Sequence, residues 1–459
     1  MSNSQAKAAR YEADASAGLF EQFSTMRGHL GIYLSVGLTA SYTRVAAEPL
    51  KAAIFRALAC VISQYPSLSA VPVDVHTSHP YFVRITRIYL ERTVTFVDAD
   101  ETVSGDLDPT VDKILEAQHN LPFVLEKEPL PFWRLVVVSP TTDTTRFVVA
   151  FIFHHCLGDG QSGVAFHRCL AKALCQRPET EPKSIIESPK IPMLPTLDNL
   201  HKGSSSDAHV TSTGNASKPS PSSGNIWAGG TPSLPVETRF QSIYFSNEMG
   251  NSLVTQCRAN GTSVTATMQT LIAVSLFSIL PETFTAMNSD CPISLRRWLD
   301  EPITDDSIGC FVGAFSQTHI RQGFSWDEAR RCRRKIDEIM AGKGQGMPFS
   351  DPKGMAANLK SWLESKIEKP RMCAFEVSNL GHLKENNGLD LYKLDSFLFS
   401  QSAGATGPAI TASLATGPDG RLTIGFSWQQ GIVSEEVISH LLQDLPKRLE
   451  TLAYSNDTS

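Results

Sequence analysis

The string His154-His155-Cys156-Leu157-Gly158-Asp159-Gly160 places two adjacent histidines ahead of a carboxylate that has a glycine on each side. Histidine suits proton removal near neutral pH, because its ordinary pKa of about 6.5 lies in the working range. Acyl transfer from a thioester needs such a group, since an alcohol or amine is a weak nucleophile until a base takes its proton in the transition state. The base must present one fixed nitrogen. A turn that folds back on itself can hold the ring by bonding its other nitrogen to local backbone. On this reading His155 is the base. Asp159 is a brace, pointed away from the ring and pinning the turn to a cation elsewhere. Gly158 and Gly160 are expected to permit the turn's backbone angles. The remaining demand is a hydrogen-bond donor for the developing oxyanion.

Taken separately these signals are ordinary. A histidine pair at a strand end is more often structural, and Asp-Gly is common turn chemistry. Their setting makes the whole string informative. Residues 146–155 (RFVVAFIFHH) form an apolar, β-branched and aromatic run that predicts a buried strand, and residues 161–175 resume as a helix. A strand–turn–helix junction is a common context for a site.

Around this junction, strands are expected at 30–40, 81–88 and 133–139, with helices at 47–65 and 110–119. In residues 203–224, fifteen of twenty-two are Gly, Ser, Thr or Pro, a composition that buries too little to order itself and reads as a connector. Beyond it, strands are expected at 239–245, 284–295, 372–380, 391–400, 409–416 and 422–428. Helices are expected at 247–259, 263–279, 326–341, 351–366 and 434–454. The mixture predicts an α/β or α+β sandwich: a first lobe at 16–196, a linker at 197–236 and a second lobe at 237–459.

The net charge of −6 leaves no basic footprint for nucleic acid. The polar start lacks an apolar core for a secretory signal, and no uninterrupted apolar run reaches membrane-spanning length. Nine cysteines without CxxC spacing fit free thiols better than disulfides or a metal site. A cytoplasmic protein without metal is expected.

The HHxxxDG string resembles the signature of the chloramphenicol-acetyltransferase-like superfamily, and its fungal alcohol O-acetyltransferase branch in particular. Residues 27–40 (RGHLGIYLSVGLTA), 292–296 (PISLR) and 375–381 (FEVSNLG) are similar to that branch's opening strand, crossover strand and SNLG strand. The resemblance implies two lobes with mixed sheets and an active-site tunnel between them, acetyl-CoA or another acyl-CoA as co-substrate, no tightly bound cofactor, a small-molecule acceptor and a monomer. It carries the base onto His155 and the structural carboxylate onto Asp159, whose partner becomes Arg296. His154 and Gly160 would support the site. Ser294 stands where plant relatives often have Asn or Asp, and their DFGWG motif is absent.

Ser378 or Asn379 could serve the oxyanion, although a strand-terminal Ser-Asn is usually a turn former. The basic run at 331–335 (RCRRK) could clamp coenzyme phosphates or merely be a solvated helix face. Cys156 is expected to pack rather than react, and His167 to be surface or packing. Two other functions remain open at this point: acyl transfer from a carrier protein, and a non-catalytic lobe pair that binds a ligand.

Overall fold

The structure, a computed structural model, describes residues 11–454 apart from 46–47, 78–79, 100–107, 126–128, 142, 144, 177–181, 201–224, 345–346, 348–358 and 384–390. The expected connector at 203–224 and the first half of the helix expected at 351–366 lie outside the described residues.

In the first lobe, α1 (Leu19–His29) precedes β1 (Val36–Arg44) and α2 (Leu50–Gln64). After β2 (Val94–Ala99) and α3 (Asp108–His119) come β3 (Trp133–Pro140), β4 (Arg146–Phe153) and α4 (Gly160–Leu174). Strands β1, β4, β3 and β2 are neighbours in that order, with β2 and β3 parallel and the other pairs antiparallel. Every residue of β4 after Arg146 is buried. The cause is cover on both faces. Phe147, Val149, Phe151 and Phe153 share a core with residues of α2 and α4, while Val148, Ala150 and Ile152 pack with Val111 and Leu115 of α3. A strand so enclosed reads as a continuous apolar run.

The second lobe begins with β5 (Thr238–Phe245), α5 (Asn247–Ala259) and α6 (Val264–Ile279), followed by β6 (Phe284–Ser294), β7 (Val312–Ile320) and α7 (Trp326–Ala341). It continues through β8 (Phe375–His382), β9 (Tyr392–Gln401), β10 (Ile410–Thr416), β11 (Leu422–Gln429) and α8 (Glu435–Tyr454). Its sheet runs Asn225–Trp227, β6, β8, β10, β11, β5, with β7 paired to β6. Helices α5, α6 and α8 cover one face, into which Phe375 and Val377 of β8 project. Successive strand residues point to opposite faces, so Glu376, Ser378 and Leu380 turn the other way, towards the first lobe.

Two differences from the sequence reading matter for the site. Residues 391–400 were expected among the second lobe's strands, but β9 pairs antiparallel with β1, from Tyr392 opposite Arg44 to Gln401 opposite Val36. The chain therefore returns to complete the first sheet. Secondly, helix α1 occupies a stretch that the sequence reading left without regular structure, and the strand expected from residue 30 starts at Val36. The buried residues of α1 include Glu21, Ser24 and Thr25 beside Phe20 and Met26, which blurs its apolar stripe.

No single described helix is long and apolar enough to cross a membrane. All nine cysteines are free.

Candidate active site

β4 ends at Phe153, and the next six residues make the turn that leads into α4. The His155 Nδ1 lies 2.9 Å from the Gly158 carbonyl oxygen. A carbonyl can only accept, so Nδ1 carries the proton and Nε2 keeps its lone pair. Phe20 meets the imidazole edge-on at 4.9 Å between ring centroids, and Tyr33 lies 5.9 Å away. The ring is half-buried. Burial, then the Arg27 guanidinium, push the imidazole down to about 4, against Asp159 and the Gly158 carbonyl, which act the other way. His155 is thus neutral at pH 7, the form a base requires.

His154 points elsewhere. Its Nδ1 accepts from the Cys156 amide at 3.1 Å, and its ring is buried beside Phe132 and Phe123. Burial pushes it down to about 3. Gly28 of α1 approaches it so closely that a Cβ there would collide with its Nε2. Alanine normally stabilises a helix relative to glycine. Here Gly28→Ala should instead destabilise by about 1–3 kcal/mol through overpacking, because His154 has no room to retreat. A urea midpoint equal to or above wild type would show that the ring yields.

Asp159 does three jobs at once. Its side chain caps α4 through the Ser162 amide at 3.1 Å. It takes a two-pronged contact from Arg296, Nη1 to Oδ2 at 2.7 Å and Nη2 to Oδ1 at 2.9 Å. It also accepts from the Phe311 amide at 3.0 Å. Both partners of the ion pair are buried. Burial alone would raise this carboxyl, but Arg296 and the two amides outweigh it and hold it below the usual carboxylate range. Arg296 Nη2 donates further to the Ser307 and Gly309 carbonyls at 3.0 and 3.2 Å. The turn of one lobe is thereby tied to the loop after β6 in the other. Ser294 adds only a 3.4 Å contact to Arg296.

The glycines serve a different purpose from the one expected. Neither Gly158 nor Gly160 has a positive φ. A Cβ at Gly158 would lie 2.6 Å from the Ser162 side chain, and one at Gly160 would lie 2.7 Å from Leu380. Space against Ser162 and Leu380, rather than backbone freedom, is what they provide.

Of the two oxyanion candidates, Asn379 is engaged. Its Nδ2 donates to Thr265 of α6 at 3.0 Å and its Oδ1 accepts from the Gly381 amide at 2.8 Å. Ser378 lies on the face of β8 that also carries Leu380, whose carbonyl accepts from Gln161 at 3.2 Å. Among the described residues its hydroxyl makes no hydrogen bond. In the basic run, Arg331, Arg333 and Lys335 pair with Glu328, Asp337 and Glu338 on their own helix. His319, Glu328 and Cys332 bring ligand-type atoms within 4.8 Å of one another, but both Glu328 oxygens accept from Arg331. Cys156 is buried in the first lobe's core, and burial pushes its thiol far up, so it is no thiolate at neutral pH. His167 is fully buried, bonded to the Tyr42 hydroxyl and the Leu38 carbonyl, each at 2.8 Å.

A cavity of about 240 Å³ lies behind the turn, walled by Cys156, Leu157, Glu21 and residues 306–311; His155 is not among its walls. Sequence reasoning did not single out Phe20, Arg27, Tyr33 or Glu376. A charged residue inside the apolar strand FEVSNLG was the available signal for Glu376.

A histidine held at a strand end, its turn braced across two mixed α/β lobes, sits in the two-lobe fold shared by chloramphenicol-acetyltransferase-like and condensation-domain proteins. The sequence profile of the alcohol acetyltransferase family matches residues 17–196 and 222–448, and the chain belongs to that family. It is an O-acetyltransferase. A probable alcohol acetyltransferase, crmB of Aspergillus fumigatus, is 30% identical over 95% of this chain and 99% of its own length. Among solved structures, the trichothecene 15-O-acetyltransferase TRI3 of Fusarium sporotrichioides superposes with a TM-score of 0.68 at 12% identity, covering 96% of this chain and 98% of that one. The condensation domain of the Monacolin K polyketide synthase MokA gives 0.61 at 10% identity, covering 97% and 98%. At those identities the likeness is one of fold.

Proposed function

We propose that this enzyme moves an acyl group, acetyl in the first instance, from acyl-CoA to the hydroxyl of a small-molecule secondary metabolite, with His155 as general base and no covalent acyl-enzyme. The observation that carries the reading is the 2.9 Å bond from His155 to the Gly158 carbonyl, which fixes the tautomer and leaves Nε2 free to accept a proton. Nε2 takes the acceptor's hydroxyl proton as its oxygen attacks the thioester carbon. The C–S bond then breaks, and the proton passes from the imidazolium to the departing thiolate, yielding ester and free coenzyme A. Asp159 does not touch the ring; its place in the reaction is to hold the turn. Ser378 is the side chain proposed to donate to the oxyanion. The inert Cys156 thiol supports direct transfer.

Incubation with acetyl-CoA and a panel of alcohols tests the reading by acceptor-dependent thiol release. Turnover only with an acylated carrier protein would reassign the donor, and none with either would overturn catalysis.

The pH profile gives a second test. The base works when neutral, and its neutral fraction falls only as pH drops through the folded-state pKa. With His155 pushed down to about 4, kcat/KM should stay flat from pH 8 to below 6.5. An acidic limb centred at or above 6.5 would show that the titrating group is not this histidine in this setting.

A further inference from the structure

Arg27, Tyr33, Gln401 and Glu376 form a polar wall beside His155 that no step of acyl transfer uses. The Arg27 guanidinium lies over the rings of Phe23 and Tyr33, at 4.2 and 4.6 Å from their centroids. Tyr33 donates its hydroxyl to Gln401 Oε1 at 2.9 Å, and Gln401 Nε2 donates to Glu376 Oε1 at 3.2 Å. The wall thus runs from the His155 ring, against which Tyr33 lies, across β9 to the inter-lobe face of β8.

Two charges on it lack an opposite charge in contact. Arg27 Nε is buried with no hydrogen-bond partner. Among the described residues neither Arg27 nor Glu376 belongs to an ion pair, although each feels the other's charge. Glu376 is paired in register with another carboxylate, Asp290 on β6, which is occupied by the Ser316 hydroxyl at 2.6 Å. Burial and then Asp290 push Glu376 up to about 7. A fold gains nothing from two half-buried opposite charges held apart, since desolvation costs both and contact rewards neither. Perturbed groups of this kind gather where a ligand completes the set.

We propose that Arg27 and Glu376 are specificity-determining residues of the acceptor site and select an alcohol that also carries a secondary amide, whose carbonyl oxygen accepts from Arg27 while its N–H donates to Glu376. The inference rests on the acyl-transfer reading above. The protein's own Gln401 displays the pattern: its amide oxygen accepts from one side of the wall and its amide nitrogen donates to Glu376 on the other. A carboxylate would meet Glu376 and Asp290, and an ammonium would meet Arg27. An alkyl chain would leave both charges stripped of water without a partner.

The test compares N-butanoylethanolamine with 1-octanol, an alkanol with the same number of non-hydrogen atoms, by thiol release from acetyl-CoA at pH 8. The amide alcohol should win in kcat/KM by at least about tenfold, as expected where buried polar groups would otherwise stay unpaired. In Glu376→Ala and Arg27→Met that preference should collapse towards unity. Glu376→Gln keeps the acceptor for Gln401 and guards against loss of fold; its preference should lie between. Equal or better turnover of 1-octanol by the wild type overturns the inference, as does a preference that survives in all three variants. Titration of coenzyme A into the same protein reads the donor site separately. Absence of coenzyme binding, or of thiol release with both alcohols, defeats the proposed function and this inference with it.

Discussion

His155→Ala should remove acyl transfer while leaving coenzyme A affinity within a few-fold of wild type. General-base contributions are about 100- to 10,000-fold, and the loss should reach or exceed that range, because no described side chain can replace the imidazole. His154 is turned away with its Nδ1 bonded to the Cys156 amide, and Asp159 is locked onto Arg296. The base touches the acceptor's proton and not the coenzyme, so binding and chemistry should separate. Steady-state thiol release beside isothermal titration measures both. A folded His155→Ala protein that keeps more than about a tenth of wild-type turnover would end the general-base mechanism. His154→Ala should show the converse, with more loss of stability and less of rate.

Asp159→Ala should be the most destabilising single change near the site. It leaves the buried Arg296 guanidinium without its counter-charge, a defect worth about 3–5 kcal/mol. It also removes the cap of α4 and the acceptor of the Phe311 amide. Arg296→Met should cost a similar amount. If the two act as one unit, the double variant should be less destabilised than the sum of the singles, since the second change removes a charge already stranded by the first. Urea unfolding of the four proteins closes the cycle. An Asp159→Ala protein with wild-type stability and reduced turnover would make the carboxylate part of the reacting site rather than its brace.

The junction that holds His155 was legible because its signals are local. An apolar run of seven residues has to be a covered strand, Gly-Asp-Gly has to turn, and a helix follows on an aspartate cap. The ring's partner, Gly158, lies three residues from His155, so the tautomer is a property of the turn alone. The Asp159–Arg296 pair spans the two lobes and was reached through resemblance to a family, not through spacing.

Helix α1 was illegible because Glu21, Ser24 and Thr25 are buried in it. Their burial answers to neighbours far along the chain, such as Thr196 and Asp198 beside Gly18. The partner of β9 was likewise beyond local reading. Its alternating apolar residues fit either sheet, and the choice of β1 depends on an edge formed some 350 residues earlier.

The sequence by itself thus determined the turn that carries His155 and the strand and helix around it, since short-range backbone sterics and apolar periodicity suffice for those. Which residues form the wall beside His155 was decided by tertiary structure. Arg27, Tyr33 and Glu376 come from α1, the segment after it and β8, and they meet only when β9 closes the first sheet against the second. Their significance lies in charge and burial shared across the lobes. Those are properties of the assembled fold, and no stretch of chain carries them alone.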